Sequence, residues 1–182
     1  MVHDPDILVI ERVLQGEQHL YAQLVNKHKS YAYSLALRVL ESKPDAEEAA
    51  QDAFIKAFKY LGGFNREAKF STWLYRIVFN TAISYKRKQK MKLQSIETVH
   101  LGYSQDSLEK NDKKKFIEQA ISKLSEADRV AITLFYLQEF SLEEIADITN
   151  TPANTVKVRV HRARHRLAEE LKGILNEEAL SL

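Results

Sequence analysis

Two histidines four residues apart, His161 and His165, lie among the cations Lys157, Arg159, Arg162, Arg164 and Arg166 near the end of a 182-residue chain. At that spacing two imidazoles share one helical face and could ligate a metal ion. The surroundings argue against a metal-dependent hydrolase: the cations repel a metal, no Glu stands between the histidines to act as base, and no glycine-rich phosphate loop or nucleophile elbow accompanies them. With no cysteine in the chain, thiol nucleophiles, thiolate zinc sites and disulfides are absent. The expectation is a protein with no catalytic residues, no metal and no cofactor, one that binds rather than reacts.

Binding chemistry is better served by the same segment. At about 100° per residue, Asn154, Val158, His161, Arg162 and His165 share an outward face. Lys157 and Arg164 flank it on one side, Arg159 and Arg166 on the other, and Val156, Val160, Ala163, Leu167 and Leu171 form the apolar back. Donors along the centre and cations at both edges suit the DNA major groove, where the centre meets bases and the edges meet phosphates.

The elements that must position this face are legible just upstream. Ser141-Leu142-Glu143-Glu144 is a capping box that starts a short helix at Leu142. Thr149-Asn150-Thr151-Pro152 supplies a stop, a residue tolerant of left-handed backbone, a new cap and a proline for the first position of the next helix. The pattern reads helix, tight turn, helix.

The remainder of the chain is also helical in pattern. Asp4 or Asp6 can cap a first segment, Gly16 interrupts it, and Leu20, Leu24, Tyr31, Leu35 and Val39 return as a buried face. Ser42-Lys43-Pro44-Asp45 is expected to break the chain, with Asp45 capping a helix from Ala46 to about Leu61. That helix buries Ala50, Phe54, Ala57, Phe58 and Leu61, and Gly62-Gly63 ends it with residues that tolerate left-handed backbone. A helix beginning near Ser71 ends in the basic run Lys86-Arg87-Lys88-Gln89-Lys90. From Met91 to Asp112 periodicity fades into polar residues, and helical spacing then resumes through Phe116, Ile117, Ala120, Ile121 and Leu124 and again from Val130 to Leu137.

Apolar residues at 45% and charged residues at 29% allow a core beneath a solvated surface, while five Gly and three Pro among many Ala, Leu, Glu, Lys and Arg favour helix throughout. The expected fold is all-α: two small helical domains joined by a flexible linker, the second containing the helix-turn-helix. The boundaries are 1–90, a linker 91–112, and 113–182. No apolar run approaches a membrane span and no signal peptide opens the chain, so a cytoplasmic protein with no membrane insertion of its own is expected. The net charge of +2 is too small to mark a nucleic-acid binder by itself, so that reading rests on clustering.

Asp45-Ala46-Glu47-Glu48-Ala49-Ala50-Gln51-Asp52-Ala53-Phe54-Ile55-Lys56-Ala57-Phe58, then Phe70-Ser71-Thr72-Trp73-Leu74-Tyr75-Arg76-Ile77 with Asn80-Thr81-Ala82, resembles the second conserved region of extracytoplasmic-function sigma factors, group IV of the sigma-70 family of bacterial RNA polymerase. Ser141 to Ala146 followed by Thr155 to Arg164 resembles their fourth region. The resemblance implies a transcription initiation factor that binds core RNA polymerase, reads the promoter −10 and −35 elements and assists opening. Its implied partners are the clamp helices of the largest subunit, the flap of the second-largest subunit, promoter DNA and an anti-sigma factor, often membrane-bound.

By position, the resemblance gives Glu48, Gln51, Asp52, Ile55 and Lys59 to the polymerase. It gives Phe64, Asn65, Lys69, Phe70, Trp73, Arg76, Asn80 and Arg87 to the −10 element, where an unstacked base needs aromatic walls and nearby polar groups. Asn154, Lys157, Val158, Arg159, His161, Arg162, Arg164 and His165 fall to the −35 element. Val158 stands where a small polar residue is usual, His161 where an apolar or aromatic one is frequent and Asn154 where Gly is. Contact between Val158 and a thymine methyl can replace a hydrogen bond there. Thr149 replaces an apolar residue, with Ile148 available to take up the packing. The rival reading is a stand-alone helix-turn-helix regulator, which accounts for the C-terminal half but not for the N-terminal blocks.

Overall fold

The computed structural model describes residues 4–94, 112–137 and 139–180 of the chain, and most of the expected linker falls outside them. Among the described residues there are eight α-helices and no strand: α1 (Ile7–Leu14), α2 (Tyr21–Leu40), α3 (Lys43–Lys59), α4 (Phe70–Gln94), α5 (Asp112–Ser122), α6 (Glu126–Leu137), α7 (Leu142–Thr149) and α8 (Ala153–Leu180). Helices α2, α3 and α4 pack mutually as the N-terminal unit, and α8 gathers α5, α6 and α7 into the C-terminal one.

The apolar stripes of the first unit converge on Leu24, Leu35, Val39, Ala49, Ala53, Phe54, Ala57, Phe70, Leu74 and Val78, all buried. Four alanines of α3 lie at 0% exposure, which lets that helix approach its neighbours closely. Two residues expected inside are partly outside: Tyr31 is 47% exposed and Phe58 39%. The apolar stripe of α3 is narrow enough to be filled by alanines and Phe54, and the Phe58 ring lies beside Tyr21 instead, with centroids 4.9 Å apart. Ile117, also expected on a buried face, is 44% exposed.

Helix boundaries depart from expectation where proline and glycine were read too strictly. Ser42 takes the extended cap position of α3, so Pro44 lies inside the first turn, where its missing N–H has no partner to lose. The break before α3 is made by Glu41, which adopts left-handed backbone at φ 60. Gly62 and Gly63 do not use a positive φ; α3 ends by tightening into a 3₁₀ turn over Leu61–Gly63, and Arg66 at φ 62 supplies the left-handed residue in the following loop. Helix α4 continues through the basic run to Gln94.

The two units share apolar packing. Val130, Ala131, Leu134, Phe140, Ile145 and Ile148 belong to the same buried cluster as the N-terminal core. Helix α6 lies against α2, and α7 against α4. The Phe140 ring meets Tyr75 edge-on at 5.6 Å. Beneath that contact, His28 bonds Tyr75 Oη at 3.0 Å through Nδ1 and Asp6 Oδ2 at 2.7 Å through Nε2.

Candidate nucleic-acid and polymerase interfaces

The C-terminal face is built as its sequence implies. Ser141 Oγ accepts the Glu144 N–H at 3.1 Å, and Glu144 Oε2 accepts the Ser141 N–H at 2.9 Å, closing the capping box. Asn150 ends α7 in left-handed backbone at φ 49, and after the turn Val156 donates to the Pro152 carbonyl at 3.0 Å as α8 begins. Val156, Val160 and Ala163 are buried, as is Ile148, while Thr149 is half-buried and returns its hydroxyl to the Ile145 carbonyl. With that back anchored, Asn154, Lys157, Val158, His161, Arg162, Arg164 and His165 are exposed together. Arg159 is half-buried beside Thr151.

One acid organises this face, and sequence reasoning missed it. The Asp128 carboxylate is fully buried, with Oδ1 accepting from Arg162 at 2.9 Å and Oδ2 from Arg166 at 3.2 Å. Burial pushes the Asp128 carboxyl upward, but hydrogen bonds from Arg162 and Ser125 and the charges of both arginines outweigh it and hold it below its ordinary value. The hydrogen bond to Asp128 in turn raises Arg162. Arg162 and Arg166 are thus held by one buried carboxylate while each side chain stays partly exposed. His161 and His165 bring their Nε2 atoms to 3.3 Å, but no group of three or more potential metal ligands occurs among the described residues.

The residues given to the −10 element divide into two sets. Phe64 is 8% exposed and Phe70 0%; with Trp73 and His28 they form an aromatic cluster with centroids 5.5–5.8 Å apart. Phe70 thus presents no open ring face, and only the half-buried Trp73 lies at the cluster's edge. Asn65, Lys69, Arg76, Asn80 and Arg87 are exposed. Helix α4 is capped from far away: the Phe70 N–H donates to Asp4 Oδ2 at 2.5 Å, and Asp4 Oδ1 accepts the Asp6 N–H at 2.9 Å.

On α3, Glu48, Gln51, Ile55 and Lys59 are exposed, with Ile55 at 67%. Asp52 is half-buried and accepts from Tyr85 Oη at 2.5 Å, a hydrogen bond that raises the Tyr85 hydroxyl well above its usual range. Phe58 and the 57% exposed Tyr60 extend the apolar part of this surface beyond Ile55. Both are ordinary core types, and only the α3–α2 crossing reveals their outward placement.

Comparison with known proteins adds to this geometry. Residues 24–91 match the family model described as Sigma-70 region 2, and residues 117–167 match Sigma-70, region 4. The chain is 36% identical over 180 residues to the ECF RNA polymerase sigma factor SigW of Bacillus subtilis, covering 91% of this chain and 96% of that protein. It is 31% identical over 184 residues to the ECF RNA polymerase sigma-E factor of Escherichia coli, covering 93% and 96%. Among solved structures, the sigma factor RpoE in complex with the anti-sigma factor NepR from Bartonella quintana superposes with a TM-score of 0.69 at 30% identity, covering 84% of this chain and 96% of that one.

Proposed function

The chain belongs to the extracytoplasmic-function sigma factors of the sigma-70 family, which makes it a promoter-directing subunit of RNA polymerase, and on that premise we propose how its residues divide the work. Residues 1–90 serve core polymerase and the −10 element, 91–112 connect, and 113–182 serve the −35 element. Glu48, Gln51, Asp52, Ile55 and Lys59 meet the clamp helices of the largest subunit. The C-terminal unit also meets the flap of the second-largest subunit. Asn65, Lys69, Trp73, Arg76, Asn80 and Arg87 meet the opened −10 strand, with Phe64 and Phe70 supporting them from beneath. Asn154, Lys157, Val158, Arg159, His161, Arg162, Arg164 and His165 meet the −35 duplex.

The observation that carries this division is the two-faced α8, packed through Val156, Val160 and Ala163 and exposed through its cations and Asn154. Catalysis forms no part of the proposed role, which is carried out in the bacterial cytoplasm. The protein works under an anti-sigma factor, a reading supported by the RpoE–NepR complex that shares its fold.

The test is run-off transcription from a promoter library with purified core polymerase, with and without the protein. Specific transcripts only on its addition are expected. Core binding without any such transcripts would reject the proposed promoter-reading residues, and tight promoter binding by the chain without core would favour a stand-alone regulator.

A further inference from the structure

One edge of α8 is gripped by the corner between α5 and α6. Arg162, Arg166 and Glu170 follow one another along that edge at intervals of one helical turn, and each meets an opposite charge there. Arg162 Nη2 donates to Asp128 Oδ1 at 2.9 Å, Arg166 Nη1 donates to Asp128 Oδ2 at 3.2 Å, and Lys123 Nζ lies 3.0 Å from Glu170 Oε2. The Asp128 N–H donates to Ser125 Oγ at 3.3 Å. Ala163 and Leu167, the sequence neighbours of the two arginines, pack with Leu124 and Ile132 as a small apolar cluster. The Asp128 side chain is 0% exposed, whereas those of Arg162 and Arg166 are 48% and 52% exposed. On the opposite edge of α8, Lys157 and Arg164 are exposed and pair with no carboxylate among the described residues.

A buried carboxylate stripped of its cations is costly, so Asp128 retains at least one of the two guanidinium groups whatever α8 meets. A guanidinium on a free stem follows the phosphates of any sequence, but one that reads a base edge must present its donors in a fixed plane. One carboxylate shared by two arginines supplies that constraint through a hydrogen bond to each, and it offsets one of their two charges. We propose that Asp128 is a positioning residue for −35 recognition: by holding Arg162 and Arg166 against α6 it keeps them from indiscriminate phosphate contacts and fixes Arg162 for a base edge, and so sets the ratio of sequence-specific to non-specific DNA binding. This inference rests on the assignment of α8 to the −35 duplex. Lys157 and Arg164, which have no carboxylate to hold them, supply the contacts that every sequence offers.

The test uses two variants of the full chain, each assembled with core polymerase. Asp128→Ala removes the carboxylate and releases both arginines. Asp128→Leu with Arg166→Leu replaces the buried charges by an apolar contact, a change that often preserves stability; it leaves the net charge of the chain as it was and releases Arg162. The probe is a pool of random-sequence duplexes. The bound fraction is sequenced, and the most enriched duplex is compared with the pool by competition binding. The specific-to-pool ratio should fall roughly tenfold, while pool binding persists and its salt slope steepens by about one as Arg162 turns to phosphate. An unchanged ratio in either variant overturns the proposal, and so does a parallel loss of specific and pool binding in both, which is what a merely structural role gives. Failure of the underlying assignment reads differently: the parent would then enrich no sequence, or one that Lys157→Ala with Arg162→Ala leaves unchanged.

Discussion

Phe70 shows that a residue assigned to recognition can be inaccessible. Its position suggests a wall of a base pocket, yet its 0% exposure and its contacts with Phe64, Trp73 and His28 make it the post on which that surface stands. Phe70→Ala should cost about 3–5 kcal/mol of stability in a urea titration, and promoter binding should fail in proportion to unfolding. Wild-type stability with selective loss of −10 binding would instead make Phe70 a contact residue. Asp6 sets a pH dependence at the same scale. Burial raises its carboxyl, but hydrogen bonds and charge from His28 and Lys27 outweigh burial, so its folded value lies below the ordinary one. A depressed carboxylate contributes stability that is fully present above about pH 3.9, its unfolded value, and that is lost as pH falls through the folded value. Urea midpoints measured down an acid series should therefore fall less steeply for Asp6→Asn than for the parent, and parallel curves would remove Asp6 from the account.

At the scale of elements, the sequence was most informative where local chemistry decides. The Ser141–Glu144 box, the left-handed Asn150 and the two faces of α8 are all readable within a few residues, and the structure has each of them. Ser141→Ala should lower stability by about 1 kcal/mol with an unchanged denaturant slope, while Ser141→Asp should restore it; equal losses for both would mean that the cap contributes nothing. Legibility failed where the partner is distant in sequence. The side chain of Asp128 reads as an ordinary first-turn acid until α8 brings Arg162 and Arg166 to it. Glu144 is a recognisable cap, but its bond to Lys69 depends on how α7 meets α4. Pro44 and Gly62-Gly63 misled for a different reason: each permits more than one backbone solution, and neighbouring Ser42, Glu41 and Arg66 decided which was taken.

The whole molecule is two recognition units with one continuous apolar cluster between them, a design that couples their stability. The single tryptophan, Trp73, lies in the N-terminal unit, so its fluorescence follows that unit, while far-ultraviolet circular dichroism follows all the helices. In the free chain the two probes should report one coincident urea transition. Phe140→Ala, which removes the ring that meets Tyr75, should separate them, and separate transitions already in the parent chain would show that the units do not share a cooperative core. The polar and apolar contacts divide accordingly: the ion pairs lie around the junction on partly exposed side chains, whereas Phe140 and its neighbours are buried within it.

The distant capping of α4 carries a practical corollary for how the protein is handled. Its first-turn N–H of Phe70 is satisfied by Asp4, 66 residues upstream, so the helix is completed only when the start of the chain has docked. A fragment trimmed to the family-matched residues 24–91 would keep every side chain assigned to the −10 element and the clamp helices while leaving that amide unanswered and His28 without Asp6. Expression fragments of the N-terminal unit are therefore best cut ahead of Asp4, and affinity tags at that end are best set off by a spacer that leaves the two aspartates free to fold back.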